Sequence, residues 1–154
     1  MKNQAIDQSK QYKRYKINKK QLLITAIGGG VIFWAASIAT SLLPIAAEYR
    51  AAFSNWSILT VWAGSLPMGM IIGCSVSYVL LRFFEKIPAK GPILKSILLS
   101  AIALAIAILL IDVPMISQKP NAPLYYFFIG VMFNAARFLL LGSGIGYLYK
   151  RLHR

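Results

Sequence analysis

Apolar residues in this chain gather into four long stretches, over about residues 21–43, 56–84, 91–111 and 124–149. Each reaches the roughly 20 residues that a helix needs to cross a hydrocarbon layer about 30 Å thick. None alternates apolar and polar positions as the wall of a membrane barrel must. Backbone groups in lipid have to be satisfied within their own segment, so the pattern predicts helices. The expected fold class is all-α: a polytopic integral membrane protein whose four transmembrane helices occupy residues 21–152, behind a basic tail over residues 1–20.

Composition agrees with that reading. Of the 154 residues, 58% are hydrophobic and 14% charged, whereas a soluble domain carries about 25% charged residues. The charge is lopsided, with 17 Lys and Arg against 4 Asp and Glu. The tail holds Lys2, Lys10, Lys13, Arg14, Lys16, Lys19 and Lys20. The segment after the second span holds Arg82, Lys86, Lys90 and Lys95, and the C-terminus holds Lys150, Arg151 and Arg154. The opposite loops carry only Arg50 and Lys119. The positive-inside rule therefore places both termini in the cytoplasm and the chain in the plasma (cell inner) membrane. Aromatic residues near the other boundary, among them Tyr49, Phe53, Trp56, Tyr125 and Tyr126, suit an interfacial belt. The first apolar run exceeds the 7–15 residues of a signal-peptide core, so no cleavage is expected.

A shift of 69 positions lays Gly73 on Gly142 and the stretch Ser77–Phe83 on Gly146–Leu152. Two duplicated hairpins in parallel orientation are one reading of this, and the shared composition of any two membrane hairpins is the other. In the first half, Trp56, Trp62, the Ser65-Leu66-Pro67 stretch and Arg82 resemble a family of small, uncharacterised bacterial two-helix hairpin membrane proteins. That resemblance implies a membrane hairpin and no particular activity.

Small residues let membrane helices approach closely. Gly69 and Gly73 in the second span, and Gly142 and Gly146 in the fourth, are spaced to form such faces. They suit tight packing within one bundle, or an oligomer interface. Pro67 interrupts the second span and frees the carbonyl of Ala63.

Arg137 falls halfway along the fourth span, with Asn134 on the same helical face. At mid-membrane an unpaired charge costs about 2.5–3.5 kcal/mol or more. The candidate polar site is therefore Arg137, Asn134, Ser65 and Pro67, with the guanidinium directed to the span-two acceptors near Pro67. An anionic ligand or a partner's acidic residue are the other ways to satisfy it. Asp112, Glu48 and Glu85 are all expected at other depths.

Metal, phosphate-loop and nucleophile motifs are absent from the sequence. Ala51-Ala52-Phe53-Ser54 and Phe133-Asn134-Ala135-Ala136 faintly resemble the lipoprotein signal peptidases. In that family a catalytic aspartate follows the second motif, and here Arg137 stands in its place. An aspartyl mechanism needs two carboxylates, so no enzyme, catalytic residue, cofactor or metal is expected. The basic tail, through Lys13, Arg14, Lys16, Lys19 and Lys20, is expected to meet anionic lipid headgroups at about 1 kcal/mol per residue, not nucleic acid. The resulting expectation is a non-enzymatic accessory or scaffold protein packing through its small-residue faces, with itself or with a partner membrane protein. The alternative is a small transporter or channel subunit handling an anion near Arg137.

Overall fold

The computed structural model describes residues 19–53, 57–114 and 123–153. Among these, four helices are long and apolar enough to cross a membrane, and no strand occurs. They are α1 (Lys19–Ser41), α3 (Ile58–Phe83), α4 (Pro92–Ala107) and α5 (Pro123–Leu152), with a shorter α2 (Pro44–Phe53) between the first two. A 3-10 turn (Phe84–Lys86) follows α3, and α4 continues into a π-helical segment (Ile108–Asp112). Lys13, Arg14, Lys16 and Trp56 lie outside the described residues. Lys19 and Lys20 are exposed at the start of α1.

The sequence pattern treats residues 44–53 as loop, whereas they form α2. Pro44 suits a first helical position, where its missing N–H costs nothing, and alanines favour the continuation. The same proline ends α1, because the residue before a proline is pushed out of the helical region. The end of α1 is sealed from outside. Arg50 Nη1 donates to the Ser41 carbonyl at 2.9 Å, and Trp62 Nε1 donates to Ser41 Oγ at 2.7 Å. Ser57 caps α3 by accepting from the Thr60 N–H at 3.2 Å. At the other end of the hairpin pair, Gly91 turns the chain with φ +80°, a left-handed conformation that glycine adopts without strain. Pro92 then opens α4.

Adjacent helices are antiparallel. Gly69 and Gly73 lie directly on α1: a Cβ at Gly69 would sit 2.9 Å from the Gly30 carbonyl oxygen, and one at Gly73 2.8 Å from that of Ala26. In the second hairpin, a Cβ at Gly142 would meet Ser100 Oγ at 2.6 Å, and one at Gly146 would meet Ile93 Cα at 2.5 Å. Backbone-level approach of this kind is the packing that small residues permit, and the one by which helices associate where the hydrophobic effect does not draw them together. Between the hairpins, Phe33, Val76, Leu80, Phe138, Leu141 and Ile145 form the core. Phe33 and Phe138 meet edge to face at 5.6 Å between centroids. One end of the bundle gathers Lys19, Lys20, Arg82, Lys86, Lys150 and Arg151. This basic end is distinguished below from the far end, where α1 stops and α5 begins.

Candidate functional site

The site forms at the far end, where α1 and α4 finish against the middle of α5. Arg137 Nε and Nη2 donate to Thr40 Oγ1 at 3.1 and 3.0 Å. Thr40 can accept both because its own proton is used elsewhere, on the Ser37 carbonyl at 3.2 Å. Arg137 Nη1 makes a longer 3.5 Å contact with Asn134 Oδ1. Asn134 Nδ2 donates to both oxygens of Asp112, at 3.0 and 3.2 Å. The amide is thereby oriented by charge: its oxygen faces the guanidinium and its nitrogen faces the carboxylate. Asp112 is 4% exposed, and its negative charge attracts the positive charge of Arg137 across Asn134.

The structure corrects the sequence expectation for Arg137. Its guanidinium sits on Thr40 of α1, not beside Pro67. Pro67 itself is exposed, and Ser65 Oγ donates back to the Trp62 carbonyl of its own helix at 3.0 Å. The placement near Pro67 failed because the midpoint of α5 is not the midplane of the bundle. At 1.5 Å per residue a helix of this length measures about 45 Å, more than the hydrocarbon layer, so its middle meets the last turn of α1. Asp112, set aside on grounds of depth, reaches the same level. Of the four candidate polar residues, Arg137 and Asn134 are brought together, while Ser65 and Pro67 stay apart from them.

Thr40 had no sequence signal strong enough to single it out, and Tyr49 read only as part of an interfacial aromatic belt. Tyr49 comes from α2, which packs Ala46 against Ile129 and Phe133. Its ring meets Phe133 and Tyr126 edge to face, at 6.3 and 6.4 Å. Gly130 leaves room for its hydroxyl, since a Cβ there would lie 2.8 Å from that oxygen. Burial, and then the Asp112 carboxylate, push the Tyr49 phenol above its ordinary range, while Arg137 opposes the shift.

A second withdrawn cation lies at the basic end. Lys95, 8% exposed, donates from Nζ to the Phe84 carbonyl at 2.5 Å. The ammonium also stands 4.0 Å from the Phe84 ring centroid. Tyr149 stacks on Phe84 at 4.8 Å and His153 on Tyr149 at 4.0 Å. Among the described residues no three His, Cys, Asp or Glu side chains gather to hold a metal ion. Chemically, the far-end cluster can hold charge, exchange a proton at Asp112, and tie three helices together. Set against known proteins, the chain matches no family model, no curated protein and no solved structure.

Proposed function

We propose that the protein is a non-enzymatic accessory or scaffold protein of the cytoplasmic membrane, with both termini on the cytoplasmic side. The observation that carries this reading is how the far-end polar groups are used. Arg137, Asn134, Asp112 and Thr40 are bonded to one another across α1, the π segment and α5, so the cluster serves first as a joint. The glycine faces likewise serve inside the chain, Gly69 and Gly73 on α1 and Gly142 and Gly146 on α4. A second copy or a partner membrane protein therefore meets outward faces, such as the apolar stripe Leu94, Leu98, Ile102 and Ile106 of α4. In each hairpin the second helix lays glycines on the first, which favours the duplicated-hairpin reading. The concentration of Lys and Arg at one end favours a cytoplasmic basic end, in contact with anionic lipid headgroups.

Copurification of the intact chain in mild detergent tests the scaffold role: a defined stoichiometric membrane partner or homo-oligomer is the expected result, and a strictly monomeric, partnerless chain counts against it. Cysteine labelling at positions 9 and 117, in a Cys74→Ser background, tests the orientation. Labelling of position 9 from outside intact cells would reverse it. The second reading, an anion-handling transporter or channel subunit, has the half-buried Arg137 guanidinium in its favour. Against it stands the neighbouring Asp112 charge. Anion flux into proteoliposomes that disappears in a folded Arg137→Ala variant would put this second reading first.

A further inference from the structure

Asp112 is a buried carboxylate that faces a half-buried guanidinium through one amide, at the end of a π-helical segment. These facts are independent, and together they describe a two-position element. α4 buries Ser96, Ser100 and Asp112. Twelve residues of ordinary α-helix would leave Asp112 about 120° around the axis from Ser100. The π segment admits an extra residue into the winding and turns Asp112 toward the bundle. An α-helical rewinding of the same residues is the default backbone state, and it turns Asp112 away. What opposes that rewinding is the bonding of Asp112 to Asn134 and its attraction to Arg137.

We propose that Asp112, Asn134 and Arg137 form a proton-operated latch: with Asp112 charged the π segment is held inward on α5, and with Asp112 protonated the segment rewinds and the far end of α4 releases α5. The proton comes from solvent at the far end and adds to the carboxylate; no other bond is made or broken. Once Asp112 is neutral, Arg137 keeps only the uncharged acceptors Thr40 and Asn134. A buried charge stripped of its counter-charge strongly destabilises its surroundings. The groups facing Asp112 are few. α5 contributes Arg137 and Asn134, α2 contributes the Tyr49 phenol, and α1 contributes Thr40 through Arg137. The other charges of α2 are engaged elsewhere: Arg50 on the Ser41 carbonyl and Glu48 with the Tyr125 hydroxyl. In α3 the described titratable residues, Cys74, Tyr78 and Arg82, lie toward the basic end.

The test uses the full chain in nanodiscs, with Cys74→Ser and spin labels on cysteines at the exposed positions Leu42 and Val113. Distances between the ends of α1 and α4 are compared at neutral pH and at about pH 4, near the ordinary carboxylate pKa. The latch requires the wild-type distance to lengthen or broaden by a few ångström on acidification. Asp112→Asn should show the acid distribution already at neutral pH, and Asp112→Glu should keep the pH response. Glu48→Gln should keep it as well. A wild-type distance that ignores pH, or an Asp112→Asn protein that still responds, overturns the proposal. Should Asp112→Asn fail to fold, the wild type decides alone: the infrared band of a protonated, buried carboxyl must appear over the same pH range as the distance change, and a mismatch in range refutes the latch.

Discussion

Arg137 at the far end and Lys95 at the basic end are both cations withdrawn from solvent, yet they are accommodated by different means. Arg137 is surrounded by side chains from three elements: a threonine hydroxyl, an asparagine oxygen and, behind the asparagine, a carboxylate. Lys95 uses a single backbone carbonyl and the face of one aromatic ring. The difference follows from the groups. A planar guanidinium presents five donors in fixed directions and needs several acceptors, whereas an ammonium is a compact charge on a flexible stem. Lys95 reaches the end of α3 by stretching along its own helix toward the basic end. Arg137 instead needs a constructed surrounding, and that construction couples α1, α4 and α5.

Breaking the far-end joint should therefore cost more than breaking the basic-end one. Asp112→Ala removes the charged acceptor of Asn134 and the counter-charge of Arg137, and should destabilise the bundle by about 2–3 kcal/mol. The double variant Asp112→Leu with Arg137→Leu should recover most of that loss, because both charges then leave together. Thermal or denaturant unfolding in detergent measures both, and a double variant as unstable as the single one would show that the charges do not act as a pair. Lys95→Met keeps the stem and removes the carbonyl bond and the ring contact, for a loss of about 1–2 kcal/mol. A loss as large as that of Asp112→Ala would erase the distinction between the two ends.

A smaller effect sharpens the far-end description. The Tyr49 phenol is pushed above its ordinary range by burial and by Asp112. The folded state thus prefers the neutral phenol, and its stability is fully present below about pH 10 and declines as pH rises through the ordinary tyrosine range. The difference between wild-type and Tyr49→Phe absorbance titrations should show Tyr49 ionising above the ordinary tyrosine range. Ionisation within that ordinary range would mean that the hydroxyl is open to water.

The smallest effect is an expected absence of coupling. Because Arg137 sits on Thr40 and Pro67 is exposed, Pro67→Ala and Arg137→Leu should be additive within about 0.5 kcal/mol. A Pro67→Ala change that softened the loss from Arg137→Leu would restore the contact with α3 that the structure does not contain.

The four long apolar segments were legible in the sequence because their signal is local: length and composition alone make a helix that can cross a membrane. The Asn134–Arg137 pair was legible for the same reason, since residues three apart share a helical face. The glycine faces were visible as spacings, but not what they rest on. Gly69 and Gly73 meet the backbone of α1, and Gly142 and Gly146 meet α4. Helix α2 escaped the pattern because ten residues that include Glu48, Tyr49 and Arg50 read as a polar connection. Its helicity is tied to contacts made elsewhere, with Ala46 on Ile129 and Phe133 and Arg50 on Ser41.

The partner of Arg137 was beyond the sequence for a geometric reason. Depth estimated by counting residues assumes that every span is centred on the same plane. Here α5 has 30 residues and α1 has 23, and only their packing decides which turn meets which. That offset, together with the π segment that turns Asp112 inward, assembled a site from residues 40, 112, 134 and 137. The sequence by itself determined the four long helices and the charged end, because those depend on residues close together in the chain. Tertiary structure alone decided the joint, because its members are brought together by axial offset and helix rotation, which no local pattern encodes.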